Sequence, residues 1–225
     1  MVVFLVTLAK SERAMDHYLD ITLLPDPEFS QNHLMDALCA KLHRALVAAG
    51  CGDIGISFPH VRERGTGLGT VLRLHGRATR LSELLAANWL AGMRDHTTLS
   101  AVQAVPSTCT SFCTVSRVQA KSSPARERRR LMRRQGLTEE QAIARIPDYC
   151  AEVLRLPYVQ MRSQSTGERF LLFIRIGPIQ AAPAAGVFSA YGLSPTGTIP
   201  WFRPIFWLIR KSVWNQTLKP LAFFG

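Results

Sequence analysis

The sequence predicts an α+β protein in two parts, and three observations lead to that assignment. Period-2 alternation of apolar and polar residues appears after Met15 and short strand-like runs return past residue 158. Between them lie runs at helical spacing, opened by capping residues and closed by glycine or proline. Near residue 120 the composition turns strongly basic, which divides the chain into a first part over 15–119 and a second over 120–202.

In the first part, Leu19, Ile21 and Leu23 alternate with Asp20 and Thr22, and Pro25 and Pro27 end that strand. Ser30 and Asn32 are candidate caps for a helix carrying Leu34, Met35, Leu38, Leu42, Ala45, Leu46 and Ala49, which Gly50 stops. A short strand follows over 54–58, then a loop through Gly65, Gly67 and Gly69 and a strand over 71–75. The GTGLG loop is not a nucleotide fingerprint, because a strand and not a helix follows it. Leu81, Leu84, Leu85, Trp89 and Leu90 predict a second amphipathic helix, and a further strand is expected over 115–119. Strand, helix, strand, strand, helix, strand is the order of a ferredoxin-like (RRM-like) unit. Many RNA-binding modules are built this way, although a fold alone does not give a function.

The second part opens with SRVQAKSSPARERRRLMRRQG, where eight basic residues from Arg117 to Arg134 stand against one acid, Glu127. Ser123 then Pro124 opens a helix and Gly136 closes it. Arg126, Arg129, Arg130, Arg133 and Arg134 fall at i, i+3, i+4, i+7 and i+8, so this arginine-rich helix carries them on one face. Like charges so placed repel one another unless a polyanion neutralises them, and the planar guanidinium suits phosphates and guanine edges. The plainer alternative is a basic face that sits in water. Thr138-x-x-Gln141 is a capping box for a helix that Pro147 ends, and a short helix is expected over 148–155. Two strands, over 158–162 and 170–175, flank the polar turn SQSTGE, and a turn-rich segment covers 190–199.

Charge narrows the partner. Lys and Arg number 27 against 16 Asp and Glu, a net charge of +11 with a pI near 10.1. That balance favours an anionic partner, nucleic acid or an acidic membrane surface. No apolar run approaches the roughly 20 residues needed to span a bilayer, so nucleic acid is expected and no membrane. The opening MVVFLVTLAKSERA lacks the basic segment and cleavage site of a secretory signal. Residues 1–14 and 203–225 are expected to be extensions. Five cysteines, odd in number and scattered, fit reduced thiols in a cytoplasm. Cys109-x3-Cys113 and the helical pair Cys39 and His43 could each supply half a metal site, but neither has a second half, and no metal or cofactor is expected.

Taken together, several segments resemble one family, the Csy-type CRISPR repeat endoribonucleases of type I-F systems. They are MDHYLDITLLPDPEF (15–29), KLHRALVAAG (41–50), SRVQAKS (116–122), RRRLMRR (128–134), RIPD (145–148), RSQSTGERF (162–170), YGLS (191–194) and PWF (200–202). The resemblance implies a metal-independent RNase that binds the CRISPR repeat RNA hairpin and cuts pre-crRNA at its 3′ base. It also implies that the enzyme keeps the crRNA as a subunit of the type I-F surveillance complex, alongside that complex's other subunits. The family's catalytic histidine matches His43, its active-site serine Ser163, and a tyrosine beside the histidine Tyr191. An imidazole is a natural general base for attack by a ribose 2′-hydroxyl on the adjacent phosphate. On residue grounds alone, however, a lone helical histidine is more often structural, and Tyr191 could be an ordinary core residue. No general acid is assigned.

For RNA binding the resemblance implies that Arg117 and Gln119 read base edges near the foot of the stem. Arginine to guanine and glutamine to adenine is the expected pairing chemistry, and alternation puts both side chains on one side of a strand. It places Arg126, Arg129, Arg130, Arg133 and Arg134 along the RNA major groove, and Phe170 against the terminal base pair. Gln135 and the stretch 105–114 depart from the family's pattern. Two other readings follow from the same residues, a non-catalytic subunit that caps the hairpin and a general basic nucleic-acid chaperone.

Overall fold

The computed structural model describes residues 15–50, 52–61, 67–119, 124–147, 154–164 and 166–202. The expected extensions 1–14 and 203–225 lie outside these, as do Cys51, Gly65, Ser123, Cys150 and most of the helix expected over 148–155. The fold is α+β, with two antiparallel sheets and, among the described residues, four α-helices. None of these helices is long and apolar enough to cross a membrane.

The first sheet is built from β1 (His17–Leu23), β2 (Gly55–Ser57), β3 (Val71–Gly76), β4 (Thr97–Leu99) and β5 (Gln103–Ala104). Its order is β2-β3-β1-β4, with β5 also pairing with β1. Helix α1 (Gln31–Ala49) begins where the Ser30 hydroxyl accepts the His33 N–H and ends at Gly50 in the left-handed conformation. Helix α2 (Ala78–Ala86) ends three residues short of Trp89, and Asn88 just beyond it has φ 51. A left-handed backbone cannot continue a right-handed helix, so Trp89 and Leu90 lie in the turns that follow. Leu19, Ile21, Leu72, Leu74, Leu38, Leu42 and Leu81 are all buried between sheet and helices. Each such side chain contributes about 1.5–3 kcal/mol relative to exposure.

The second sheet contains β6 (Phe112–Val118), β7 (Tyr158–Arg162), β8 (Arg169–Ile176) and β9 (Thr198–Pro200) in the order β7-β8-β6-β9. The strand expected over 115–119 is therefore present as β6, but it does not close the first sheet. It pairs with β8 on one side and β9 on the other. Sheet one instead gains β4 and β5, two short segments that carry no alternating pattern long enough to read. Helices α3 (Pro124–Gln135) and α4 (Glu139–Arg145) form a hairpin, tied by Arg128 Nε donating to the Ile146 carbonyl at 2.7 Å. Thr138 and Gln141 make both bonds of the capping box.

The two sheets share one core. Gly55 in β2 lies so close to Ile199 and Phe188 that a Cβ there would meet them at 2.6 and 2.8 Å. On this same side of sheet one a polar cluster is enclosed. Arg73, 1% exposed, makes a bidentate pair with Asp20 at 2.6 and 2.8 Å and donates to the Phe202 carbonyl at 2.9 Å. Its guanidinium lies 4.5 Å from the Tyr18 ring centroid and 4.1 Å from that of Phe202. Next to it His75, fully buried, shares a 2.8 Å hydrogen bond between Nε2 and the Ser57 hydroxyl. Burial, reinforced by the Arg73 charge, pushes the His75 pKa well below the usual histidine value.

Candidate active site

His43 is half-buried at the edge of the apolar stripe of α1, one turn from the buried Cys39 and Leu46. Its ring is stacked on Tyr191, with centroids 4.2 Å apart and planes within 8°. Nδ1 lies 2.9 Å from the Ala190 carbonyl oxygen. A carbonyl can only accept, so the neutral ring must carry its proton on Nδ1 and its lone pair on Nε2. Among the described residues Nε2 has no hydrogen-bond partner.

The loop that presents Ala190 and Tyr191 is pinned from three sides. Ile56 in β2 donates to the Gly192 carbonyl at 2.9 Å, Ser194 donates to Val115 in β6 at 2.9 Å, and Gly192 donates back to Ser189 at 2.8 Å. Gly192 has φ +70, and a Cβ there would lie 2.6 Å from the Ile56 side chain, so only glycine fits this turn. The YGLS motif thus fixes a tyrosine ring and a backbone carbonyl against one histidine.

Arg117 extends the group. It is exposed on β6, and its guanidinium carbon lies 5.6 Å from the Phe170 ring centroid and 5.9 Å from that of Tyr191. Gln119, one residue past the strand's end, is also exposed. Ser163 follows β7 at the start of the turn to β8, one step beyond the cross-strand pair of Arg162 and Arg169. Its N–H donates to the Glu168 carbonyl, its carbonyl accepts from Gly167, and its hydroxyl accepts from the Thr166 N–H at 3.3 Å. The same hairpin carries Phe170, which pairs with Met161, and β7 is tied to α1 where the Gln160 N–H donates to Asp36 at 2.9 Å. Burial raises the Asp36 pKa, and the Gln160 N–H and the charge of His33 offset part of that rise.

The structure therefore brings His43, Tyr191, Arg117 and Phe170 into one chain of ring and cation contacts, with Ser163 at the tip of the hairpin that bears Phe170. Arg126, Arg129, Arg130, Arg133 and Arg134 lie apart, all exposed on α3. Cys39 and Cys113 are buried thiols with raised pKa values, Cys113 being pushed up to about 12 by burial. Among the described residues no three His, Cys, Asp or Glu side chains gather as metal ligands.

Residues 18–202 match the family described as CRISPR-associated protein (Cas_Csy4). The chain belongs to this Csy4 family. A protein named CRISPR-associated endonuclease Cas6/Csy4 from Pseudomonas aeruginosa (strain UCBPP-PA14) is 55% identical to it over 188 residues, which is 84% of this chain and 100% of that protein. Another of the same name from Escherichia coli (strain UTI89 / UPEC) is 50% identical over 188 residues, with the same coverage of both chains. Within this Csy4-family chain, one partner of His43 escaped sequence reasoning. The Ala190 carbonyl is a backbone atom, and no residue type signals it. The other unanticipated feature, the facing arginines Arg162 and Arg169, is visible in the sequence only as basic residues on either side of a turn.

Proposed function

We propose that this chain is a metal-independent endoribonuclease of CRISPR RNA processing. It binds the repeat hairpin of pre-crRNA and cuts at the hairpin's 3′ base. The reading rests chiefly on the His43 ring, whose proton is held on Nδ1 by the Ala190 carbonyl so that Nε2 is available as a base. Nε2 takes the proton of a ribose 2′-hydroxyl, and the 2′-oxygen attacks the adjacent phosphorus. The bond to the 5′-oxygen breaks, leaving a 2′,3′-cyclic phosphate on the hairpin product and a 5′-hydroxyl, protonated by solvent, on the other. Ser163 holds the 2′-hydroxyl in line, and Tyr191 keeps the imidazole plane oriented.

In this reading Arg117 and Gln119 face base edges at the foot of the stem, and Phe170 stacks on its last pair. Arg126, Arg129, Arg130, Arg133 and Arg134 lie along the phosphates. The strand order β2-β3-β1-β4 with two helices supports a ferredoxin-like first part as the platform. The name shared by the two relatives supports the nuclease class, and the many arginines available to phosphates support retention of the crRNA within a type I-F complex.

The test is incubation of the protein with its cognate repeat RNA in EDTA, beside His43→Ala. Wild type cuts at the 3′ base of the hairpin, while the variant binds without cutting. If neither cuts and both bind tightly, the protein only caps the hairpin and the catalytic assignments fail.

A further inference from the structure

Helix α1 and the β7–β8 hairpin bring different groups to the site, His43 on the helix and Ser163 with Phe170 on the hairpin. We infer that Asp36 is a positioning residue for cleavage, its carboxylate holding the hairpin in register with the helix so that Ser163 and His43 reach the same ribose. The inference rests on the reading above and deepens it, since that reading gives Asp36 no part.

The sheet leaves a donor for this carboxylate to take. β7 stands at the edge of its sheet, paired with β8. Along an edge strand the outward N–H groups find no partner in the sheet and must be satisfied elsewhere. For Gln160 the partner is Asp36, whose carboxylate accepts the N–H at 2.9 Å. The bond lies close along the chain to both reacting groups. Asp36 is seven residues before His43, two helical turns, so the two share one face of α1. Gln160 is three residues before Ser163.

Apolar packing does not set this register by itself. Val159 and Met161 point inward from β7 to the core, but apolar contact has no direction and tolerates sliding. Beside the bond the two elements do not close on each other. A cleft of about 280 Å³ remains there, lined among others by His33, Asp36, Ala37, Ala40, Gln160 and Met161. A hydrogen bond weakens steeply as it bends or stretches, so this one fixes where β7 lies along α1.

The carboxylate is held there at a cost. Asp36 is half-buried in a helix interior, where aspartate is a poor helix former, and among the described residues it makes no ion pair. Burial raises its pKa, and the Gln160 N–H, with the charge of His33, offsets part of that rise. Arg162 and Arg169 line the same cleft without pairing with it. The Gln160 N–H is thus the strongest protein contact of this carboxylate.

The test is single-turnover cleavage of the cognate repeat RNA at saturating enzyme, beside affinity for the same RNA with a 2′-deoxyribose before the cut. Asp36→Leu removes the acceptor at similar size, and its rate constant falls about tenfold to a hundredfold, the effect of a reacting group misplaced by about 1 Å. Its affinity for the deoxy RNA is unchanged, because most RNA contacts in this reading lie outside the hairpin. Asp36→Asn keeps an oxygen acceptor and cleaves at the wild-type rate. Hydrogen exchange of the Gln160 amide reads the bond itself, and is about tenfold faster in Asp36→Leu than in wild type. A merely structural role would lower the fraction of active enzyme, and so the amplitude of cleavage, but not the rate constant of the bound, folded protein. The inference is overturned if Asp36→Leu keeps the wild-type rate constant, if Asp36→Asn is as slow as Asp36→Leu, or if rate and affinity fall together. Failure of the underlying reading looks different, since wild type itself then leaves the RNA uncut.

Discussion

Two histidines of this chain sit in opposite settings, and the contrast separates the arrangement we propose as catalytic from a structural one. His75 is wholly enclosed, with Nε2 committed to Ser57 and an arginine next door that itself is fully paired. His43 is half-buried, held through Nδ1 and by a stacked ring, and its second nitrogen has no protein partner among the described residues. The first arrangement shuts the imidazole inside the protein, with Nε2 bonded to Ser57 and Nδ1 buried without a hydrogen-bond partner among the described residues. The second fixes the ring yet leaves a lone pair for something outside, which is what a general base needs. Both lie where the two sheets meet, so location alone does not distinguish them.

The sharpest way to break this comparison is to exchange the outcomes. His43→Gln lowers the single-turnover cleavage rate by about 10²–10⁴ while the urea midpoint hardly moves. His75→Leu does the reverse, destabilising by about 1–3 kcal/mol because the Ser57 hydroxyl is left buried and unpaired, with the rate of the folded protein retained. Equal effects of the two substitutions on rate would remove the distinction.

The structural side is tested next by Asp20→Ala. Arg73 is then an uncompensated buried charge, and denaturant unfolding falls by about 3 kcal/mol. On the binding side, Arg129→Ala with Arg130→Ala weakens hairpin binding and flattens its salt dependence, by about 0.9 in slope for each phosphate that is no longer neutralised. An unchanged slope would take α3 out of the RNA interface.

The smallest expected effect is on pH. His75 in the folded protein titrates well below 6.5 because burial opposes its charge, and His60 is shifted in the same direction, also chiefly by burial. Below pH 6.5 the unfolded chain takes up protons that the folded chain does not. Stability is therefore complete above that pH and declines as pH falls toward the lowered values. His75→Leu flattens this decline in unfolding measured between about pH 7 and pH 5.

Local signals made the helices legible. Ser30, Gly50, Gly136 and the Thr138–Gln141 box act within one turn of the residues they cap, so their letters suffice. Sheet membership did not follow from such signals. The pattern of β6 reads as a strand, but its partners β8 and β9 lie far downstream, and only the packed core decides the pairing. β4 and β5 are too short for any period to appear. At the candidate site, His43, Ser163, Tyr191, Arg117 and Phe170 were singled out by resemblance and not by spacing. The carbonyl that sets the His43 tautomer, and the enclosure of Arg73, depend on chain crossings that no local stretch encodes.

The central claim is that the RNA's own 2′-oxygen is the nucleophile, activated at His43. It is tested most directly with the cognate hairpin carrying a single 2′-deoxyribose at the nucleotide before the cut, measured beside the all-ribose RNA for both binding and cleavage. The account predicts equal affinity and no cleavage of the deoxy RNA. Cleavage of that RNA at the normal position would show that another nucleophile acts and would contradict the account.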